Sequence, residues 1–533
     1  MNNDKKKNLL LGDQAIALGA INAGLSGVYA YPGTPSTEIT EYIQEHPLAK
    51  ERGIHSKWCT NEKTAMEAAL GMSYAGKRAL VCMKHVGLNV AADAFVNSAM
   101  TGVNGGLIVV VADDPSMHSS QNEQDSRFYG KFAMMPTLEP SSQQEAYDMM
   151  KYAYDLSEKM RLPVLMRVVT RMAHSRAVVE CDETINENPL NPAENRADWV
   201  LLPVNARRRN IEVINQQEEL KRLSEEHARL TIKGKGLPGI ITCGIAYNYV
   251  MENIGDDANY NILKINQYPL PAKAISELAE NSSEILVAED GQPFAEEQIL
   301  GILPHAVTVK GRLSGALPRT GELDPDNVRA ALGIPPRPAN TKPEAVVPRP
   351  PALCQGCGHR DVYEILNNVI KEYPGARVFS DIGCYTLGAL PPFRAIDSCV
   401  DMGASITMAK GAADAGLAYP VAVIGDSTFT HSGITGLLDA VNSNSPITVI
   451  ISDNLTTAMT GGQDSAGTNR LESICLGIGV EKEHVKTVVP IPSNHAEIAD
   501  IIRGELAYKG VSVIIPRREC IQTLRRKNKK QNA

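Results

Sequence analysis

GDSTFTHSGITGLLDAVNSNSPITVIISDN, residues 425–454, follows the apolar run VAVI and closes on a second apolar run, ITVIIS. Between the two lies the helix candidate GITGLLDAVNSN. Two buried β-rich runs joined by a helix make the right-handed crossover of a parallel sheet. Ligands of an open parallel sheet collect at the carboxyl ends of its strands. Asp426 and Asn454 each stand where a run stops, so both are expected on that one edge. A single carboxylate and a single amide oxygen are too few for a dedicated cation cage. They suit Mg²⁺ shared with a diphosphate, whose oxygens complete the octahedron with water. Taken without wider context, Asp426 also reads as a helix cap and Asn454 as a turn residue.

The same alternation extends outward. RVFSD (377–381) and VSVIIP (511–516) add strands to this sheet and define an α/β unit over 352–522. Upstream, PPRPANTKPEAVVPRPP (335–351) is too proline-rich for a helix or strand and reads as an extended linker. A second unit, 236–330, carries the strand candidates GIITCG (239–244), YNILKI (260–265) and EILVAED (284–290). Residues 185–235 read as polar and irregular, with a charged helix at 216–230. A third unit, 8–185, has the strands VYAYP (28–32), RALVCMK (78–84), GLIVVVADD (106–114) and LPVLMRVV (162–169). There Thr34 is expected to cap a helix starting at Pro35, with Glu38 in its first turn. The fold class is therefore α/β, with three doubly wound domains, as 533 residues would suggest.

A net charge of -8 argues against a polyanion-binding surface, hence against nucleic acid. The basic ends, KKK at 5–7 and RRKNKK at 525–530, read as short solvated tails. The start has only three leucines before Gly12-Asp13, too few for a signal peptide. No run of about 18 apolar residues offers a membrane span. A cytoplasmic location is expected, with the ten cysteines as thiols or ligands rather than disulfides. Cys354, Cys357, Cys384 and Cys520 form a C-x2-C pair, a third cysteine and one late in the chain. Such a set could hold an iron–sulfur cubane or a structural zinc. Cys59, Cys82, Cys181, Cys243, Cys399 and Cys475 lack such spacing and read as ordinary buried thiols.

The pattern Gly425-Asp426-Ser427 with Asn454 resembles the diphosphate motif of thiamine diphosphate enzymes. Ser427 stands where glycine is more usual. The resemblance implies that Asp426, Asn454 and the backbone carbonyl of Thr456 bind magnesium. Such a cofactor also needs a carboxylate at its aminopyrimidine ring to drive the proton switch that activates it. Glu62, in WCTNEKTAMEAALG, is the candidate; alone it would be an acid favoured by its helix N-terminus.

YPGTPST (31–37), NEKTAMEAALGMSYAG (61–76), MKHVGLNVAAD (83–93), CQGCGHR (354–360), DIGCYTLG (381–388) and DNLTTAMTGGQ (453–463) resemble the 2-oxoacid:ferredoxin oxidoreductases. The resemblance implies a pyrimidine-binding domain over 8–185, a transketolase C-terminal-like middle domain over 236–330 and a diphosphate-binding domain over 352–522. Thiamine diphosphate would lie between the first and last of these, often across two α subunits. Thr34 would sit near the substrate carboxylate, and Lys84, His85 and Asn89 over the cofactor. Arg127 is a candidate carboxylate clamp, since its fork suits an acid; it also reads as a solvated loop cation. His85 reads equally as a satisfied loop histidine. His359 and Met402 are candidate cofactor contacts that packing would explain as well. The four cysteines match the ligands of a [4Fe–4S] cluster near the cofactor, Cys520 least closely.

Met459, ahead of TGGQ where pyruvate-specific relatives carry Asn, suits a larger aryl 2-oxo acid such as indolepyruvate or phenylpyruvate. The implied activity is oxidative decarboxylation with coenzyme A as acyl acceptor and ferredoxin as electron carrier, beside a separate β subunit. The family's ferredoxin-like module, with its two C-x2-C-x2-C-x3-C-P runs, has no counterpart before the end RRKNKKQNA. Electrons are then expected to leave from the one proximal cluster. The rival reading is a non-redox thiamine diphosphate-dependent decarboxylase or carboligase; a zinc-stabilised binding protein is a second.

Overall fold

The computed structural model describes residues 6–256, 259–303, 307–338, 341 and 343–531. It divides into two compact units, 1–340 and 341–533. The C-terminal unit holds a six-stranded, all-parallel sheet. Its order is Ser398–Cys399, Arg377–Ser380, Pro420–Gly425, Thr448–Ser452, Ser512–Pro516, Val485–Val488. Val421, Val423, Ile424, Val449 and Ile451 are wholly buried, because helices cover both faces of a parallel sheet. Each such side chain contributes roughly 1.5–3 kcal/mol of burial. Pro420–Gly425 and Thr448–Ser452 pair in register, with Gly425 opposite Ser452. The crossover between them is helical from Asp426 to Asn442 and contains a π turn at Phe429–Gly433. Turns of that kind recur at functional sites.

The N-terminal unit contains two large sheets and a two-stranded antiparallel ribbon. The larger sheet runs Gln267–Tyr268, Thr137–Leu138, Val164–Val169, Leu107–Asp113, Ala79–Lys84, Gly27–Ala30, His55–Trp58, and only Gln267–Tyr268 is antiparallel. The smaller runs Thr308–Lys310, Ser282–Ala288, Leu237–Cys243, Asn261–Ile265, Arg229–Thr231, the last antiparallel. Gln267–Tyr268 leaves the small sheet and pairs with the large one, so the chain ties the two together.

Four local expectations change. The helix after VYAYP starts at Thr37. Thr34 and Pro35 precede it in a turn closed by the Ser36 N–H on the Gly33 carbonyl at 2.9 Å. Lys6 and Lys7 lie in the strand Lys6–Leu11, paired antiparallel with Arg176–Cys181, rather than in a solvated tail; Lys5 lies outside the described residues. The basic residues 525–530 belong to the helix Ile521–Gln531. The charged helix begins earlier than expected, at Pro203, and ends at His227, after which Arg229–Thr231 turns into an edge strand. Its charged, nearly all-round polar surface hides the start.

Candidate active site

In the C-terminal unit, Asp426 directly follows Gly425 at the carboxyl end of its strand. A Cβ on Gly425 would stand 2.6 Å from the Tyr385 ring, so glycine lets that ring close over the strand end. Asp426 is 1% exposed, and its Oδ2 has no hydrogen-bond partner among the described residues. Burial, and then the neighbouring Asp453, push its carboxyl up to about 7. A bare carboxylate oxygen at a strand edge is what a cation satisfies. Asn454 leaves the next strand, its Oδ1 accepting the Thr456 N–H at 3.1 Å. Leu455 between them has φ +62°, which reverses the chain there. Ser427 Oγ accepts from Thr457 Oγ1 at 2.9 Å, fastening the two strand ends together. The residues present thus fit a magnesium–diphosphate.

The loop beyond is held by its own bonds. Thr456 Oγ1 donates to the Gln463 carbonyl at 2.8 Å, and Thr460 Oγ1 to Gln463 Oε1 at 2.6 Å. Gly461 and Gly462 take φ +137° and +96°, conformations that favour glycine. Met459 stands at the tip, 52% exposed.

A cavity of about 110 Å³ opens beside this edge. Cys354, Cys357, Cys384 and Cys520 all line it, with Asp453, Asn454 and His359. The Cys357 N–H returns to the Cys354 carbonyl at 3.1 Å, and the Cys520 N–H donates to the Asn454 carbonyl at 3.1 Å. Cys520 is thereby attached to the same loop that carries the magnesium candidate. Burial, reinforced by the other three sulfurs, pushes the Cys384 thiol up to about 12. Four thiols on one cavity are a donor set that fits a metal–sulfur group. His359 is 5% exposed, its imidazole is held down to about 4 by burial, and its Nδ1 lies 3.4 Å from Cys357 Sγ. Met402 is half-buried just before Gly403, whose N–H donates to Asp381.

Asp381 escapes sequence reasoning. It is wholly buried and accepts from Ser405 Oγ at 2.6 Å, from the Ser405 N–H and from the Tyr385 hydroxyl. Burial pushes its carboxyl up to about 7. It fixes the Tyr385 ring that lies on Gly425.

In the N-terminal unit, Glu62 opens the helix Glu62–Tyr74 behind the cap Asn61, whose side chain accepts the Thr64 N–H. Glu62 is 5% exposed and lies against Gly87, where a Cβ would come within 2.5 Å of its Oε1. The bare backbone of Gly87 makes the cradle that this carboxylate occupies. Lys84 ends the strand Ala79–Lys84 with Nζ on the Ser119 carbonyl at 2.6 Å. Gly33, beside Thr34, approaches the Lys84 side chain closely, with 3.3 Å left for a Cβ. His85 is buried with Nε2 3.3 Å from the Asn122 carbonyl. A carbonyl only accepts, so Nε2 carries the proton and Nδ1 is a bare acceptor. Burial lowers its pKa and keeps the ring neutral. Asn89 Oδ1 accepts from the Tyr129 hydroxyl at 2.7 Å.

Arg127 is placed differently from the expectation. It is wholly buried, neither a solvated cation nor an open clamp. Its fork is taken by Asp125, by Glu289 at 2.8 Å, by Tyr268 and by two backbone carbonyls. Glu139 stands 3.6 Å away. Asp125 and Glu139 come from the larger sheet's chain and Glu289 from the smaller sheet's strand end, so the arginine clasps the two sheets. Of the six cysteines outside the cavity, Cys59 and Cys399 are half-buried and the other four buried.

Strand-edge sites on helix-covered parallel sheets are common to many α/β enzymes, and the family matches identify this chain as a thiamine diphosphate-binding enzyme. The family model "Pyruvate flavodoxin/ferredoxin oxidoreductase, thiamine diP-bdg" matches residues 18–218, and "Thiamine pyrophosphate enzyme, C-terminal TPP binding domain" matches 381–515. Indolepyruvate oxidoreductase subunit IorA of Archaeoglobus fulgidus is 38% identical over 97% of this chain and 86% of its own. The subunit of the same name from Methanothermobacter marburgensis is 38% identical over 96% and 86%. Among solved structures, 2-oxoglutarate:ferredoxin oxidoreductase from Magnetococcus marinus shares the fold, with TM-score 0.50, 17% identity, and coverage of 62% of this chain and 65% of that one.

The chain belongs to the indolepyruvate oxidoreductase IorA family, and is the α-type subunit of a thiamine diphosphate-dependent 2-oxoacid oxidoreductase. Its class of reaction is the oxidative decarboxylation of 2-oxo acids. Among the described residues, no helix is long and apolar enough to cross a membrane.

Proposed function

We propose that the chain converts aryl 2-oxo acids, indolepyruvate among them, to arylacetyl-coenzyme A and passes the electrons through a [4Fe–4S] cluster to ferredoxin. The observation that carries this is the cavity lined by all four cysteines, directly beside Asn454. A redox group there would neighbour the diphosphate end of the cofactor. Thiamine diphosphate, when bound, supplies the nucleophilic carbon and the electron sink that decarboxylation needs.

The protein's residues do the rest. Asp426, Asn454 and the Thr456 carbonyl hold magnesium on the diphosphate, and Gly425 and Ser427 shape that pocket. Glu62, desolvated against Gly87, holds the proton at the aminopyrimidine ring. Thr34 and the neutral His85 orient the substrate acid, while His359 and Met402 pack the cofactor. Arg127 supports the fold and takes no part in binding the acid. An exposed, adaptable Met459 at the tip of its loop leaves room for an aromatic side chain. The relatives' shared name points to the same substrate class and, as a subunit name, to a second chain. We place a β subunit and a second copy of this chain in the working assembly, and the assembly in the cytoplasm, where thiols stay reduced.

A panel of 2-oxo acids assayed without air, with coenzyme A and a viologen dye, tests the reading. Aryl substrates should reduce the dye, and iron and sulfide should accompany the chain. Glu62→Gln should lose turnover and keep its iron. Zinc in place of iron, or carbon dioxide released without dye reduction, would defeat the electron-transfer half of the proposal.

A further inference from the structure

A second cluster of charged side chains is unused by this chemistry. Asp13 lies in the helix Gly12–Asn22, Glu38 in Thr37–Glu45 and His174 at the end of Thr170–His174. One donor atom of each falls within 4.8 Å of the other two. A close backbone approach brings them together. The Gly12 N–H donates to the Ser175 carbonyl at 3.2 Å, and a Cβ on Gly12 would stand 2.2 Å from the Met172 carbonyl oxygen. Only glycine lets the first helix begin there, which places Asp13 against His174.

Asp13 is 0% exposed, and neither of its carboxylate oxygens has a hydrogen-bond partner among the described residues. Glu38 Oε2 and His174 Nε2 lie 3.5 Å apart, their side chains about a third open to solvent. Burying a carboxylate with no donor is costly unless it is protonated or ligates a metal. Two carboxylates balance the charge of a divalent ion, and an imidazole nitrogen adds a ligand that favours zinc-like ions over magnesium or calcium. The partly open side lets water fill the remaining positions.

We propose that Asp13, Glu38 and His174 bind one zinc-class divalent cation, separate from the cofactor's magnesium and from the four cavity thiols. Its place in the fold sets its role. The helix carrying Glu38 starts directly after the turn that holds Thr34, so the ion pins that turn to the first helix and to the 170–175 segment.

The test uses the full chain with its cofactors loaded, incubated with Zn²⁺, freed of excess ion and analysed for zinc. The parent protein should retain one zinc more than His174→Ala or Glu38→Gln. Calorimetric affinity at that site should drop by more than about tenfold in each. Zn²⁺ should also raise the thermal midpoint of the parent and not of the variants. Glu38→Gln, at a partly exposed position, keeps the comparison available should His174→Ala not fold. Equal zinc content and equal midpoint shifts in parent and variants would overturn the proposal and leave Asp13 as a protonated buried acid.

Discussion

Arg127 and Asp381 are both wholly buried, yet burial acts on them in opposite ways. Arg127 sits among Asp125, Glu289 and Glu139, so its charge is matched; removing it takes the ion pair from buried Glu289 and leaves Asp125 and Glu139 to Arg167. Breaking a buried pair from one side costs roughly 3–5 kcal/mol. Arg127→Met should therefore lower the unfolding free energy by an amount in that range, read as a fall in the denaturant midpoint at unchanged slope. Any folded fraction should keep its KM for the 2-oxo acid. A selective rise in KM at unchanged stability would restore the carboxylate clamp. Asp381 has hydrogen bonds but no cation, and burial raises its carboxyl to about 7. The folded chain then keeps this proton from about pH 4 to about 7 while the unfolded chain has lost it. The group's contribution to stability therefore falls as pH rises through that window. Each decade of proton affinity is worth about 1.4 kcal/mol, so the effect amounts to a few kcal/mol. In the cofactor-free chain, the thermal midpoint of Asp381→Asn, which cannot titrate, should decline less than the parent's between pH 4 and 7.

At the level of elements, the proposed proton-handling carboxylate of Glu62 depends on two helices meeting without a side chain between them. Gly87 lies in the helix His85–Thr101, and a Cβ there would overlap the Glu62 carboxylate at 2.5 Å. Gly87→Ala should cut turnover by at least about tenfold through displacement of Glu62, with iron content and the reduced spectrum unchanged; normal turnover would show that the carboxylate tolerates the shift. The elements that build this site are legible in sequence to very different degrees. VAVIG, ITVIIS and ALVCMK are buried on both faces, so near-continuous apolar runs mark them at once. Asp426 and Asn454 follow from the same feature, because a crossover of fixed length puts both at one edge. The strand Lys6–Leu11 carries no such mark. Three polar residues precede its three leucines, Leu9 is exposed, and it pairs with a segment some 170 residues away. Arg127 is misread for a similar reason: Glu289, the partner that explains its burial, is 162 residues distant. Asp381 and the Asp13–Glu38–His174 cluster likewise exist only once remote helices and strand ends converge.

At the scale of the whole molecule, the candidate site residues divide between the two units. All four cavity cysteines, Asp426 and Asn454 belong to 341–533, and Glu62, Thr34 and His85 belong to 1–340. Each unit has its own hydrophobic core, built in the first around strands such as Ala79–Lys84 and in the second around Pro420–Gly425. Residues 343–351, at the start of the second unit, are exposed and carry neither helix nor strand; a turn closed by the Val346 N–H on the Pro343 carbonyl at 3.0 Å precedes three further prolines. Exposed backbone of this kind is where a protease cuts first. Brief proteolysis of the anaerobically purified protein should thus cleave near 343–351. After denaturing separation, two fragments should appear; under native conditions, iron and sulfide should travel with the C-terminal one. On the proposed reading, carbon dioxide release from an aryl 2-oxo acid should require both fragments, because the magnesium candidates Asp426 and Asn454 and the proposed proton-handling Glu62 are on different pieces. Iron found on the N-terminal fragment would refute the thiol assignment, and turnover by either fragment alone would refute the division of labour.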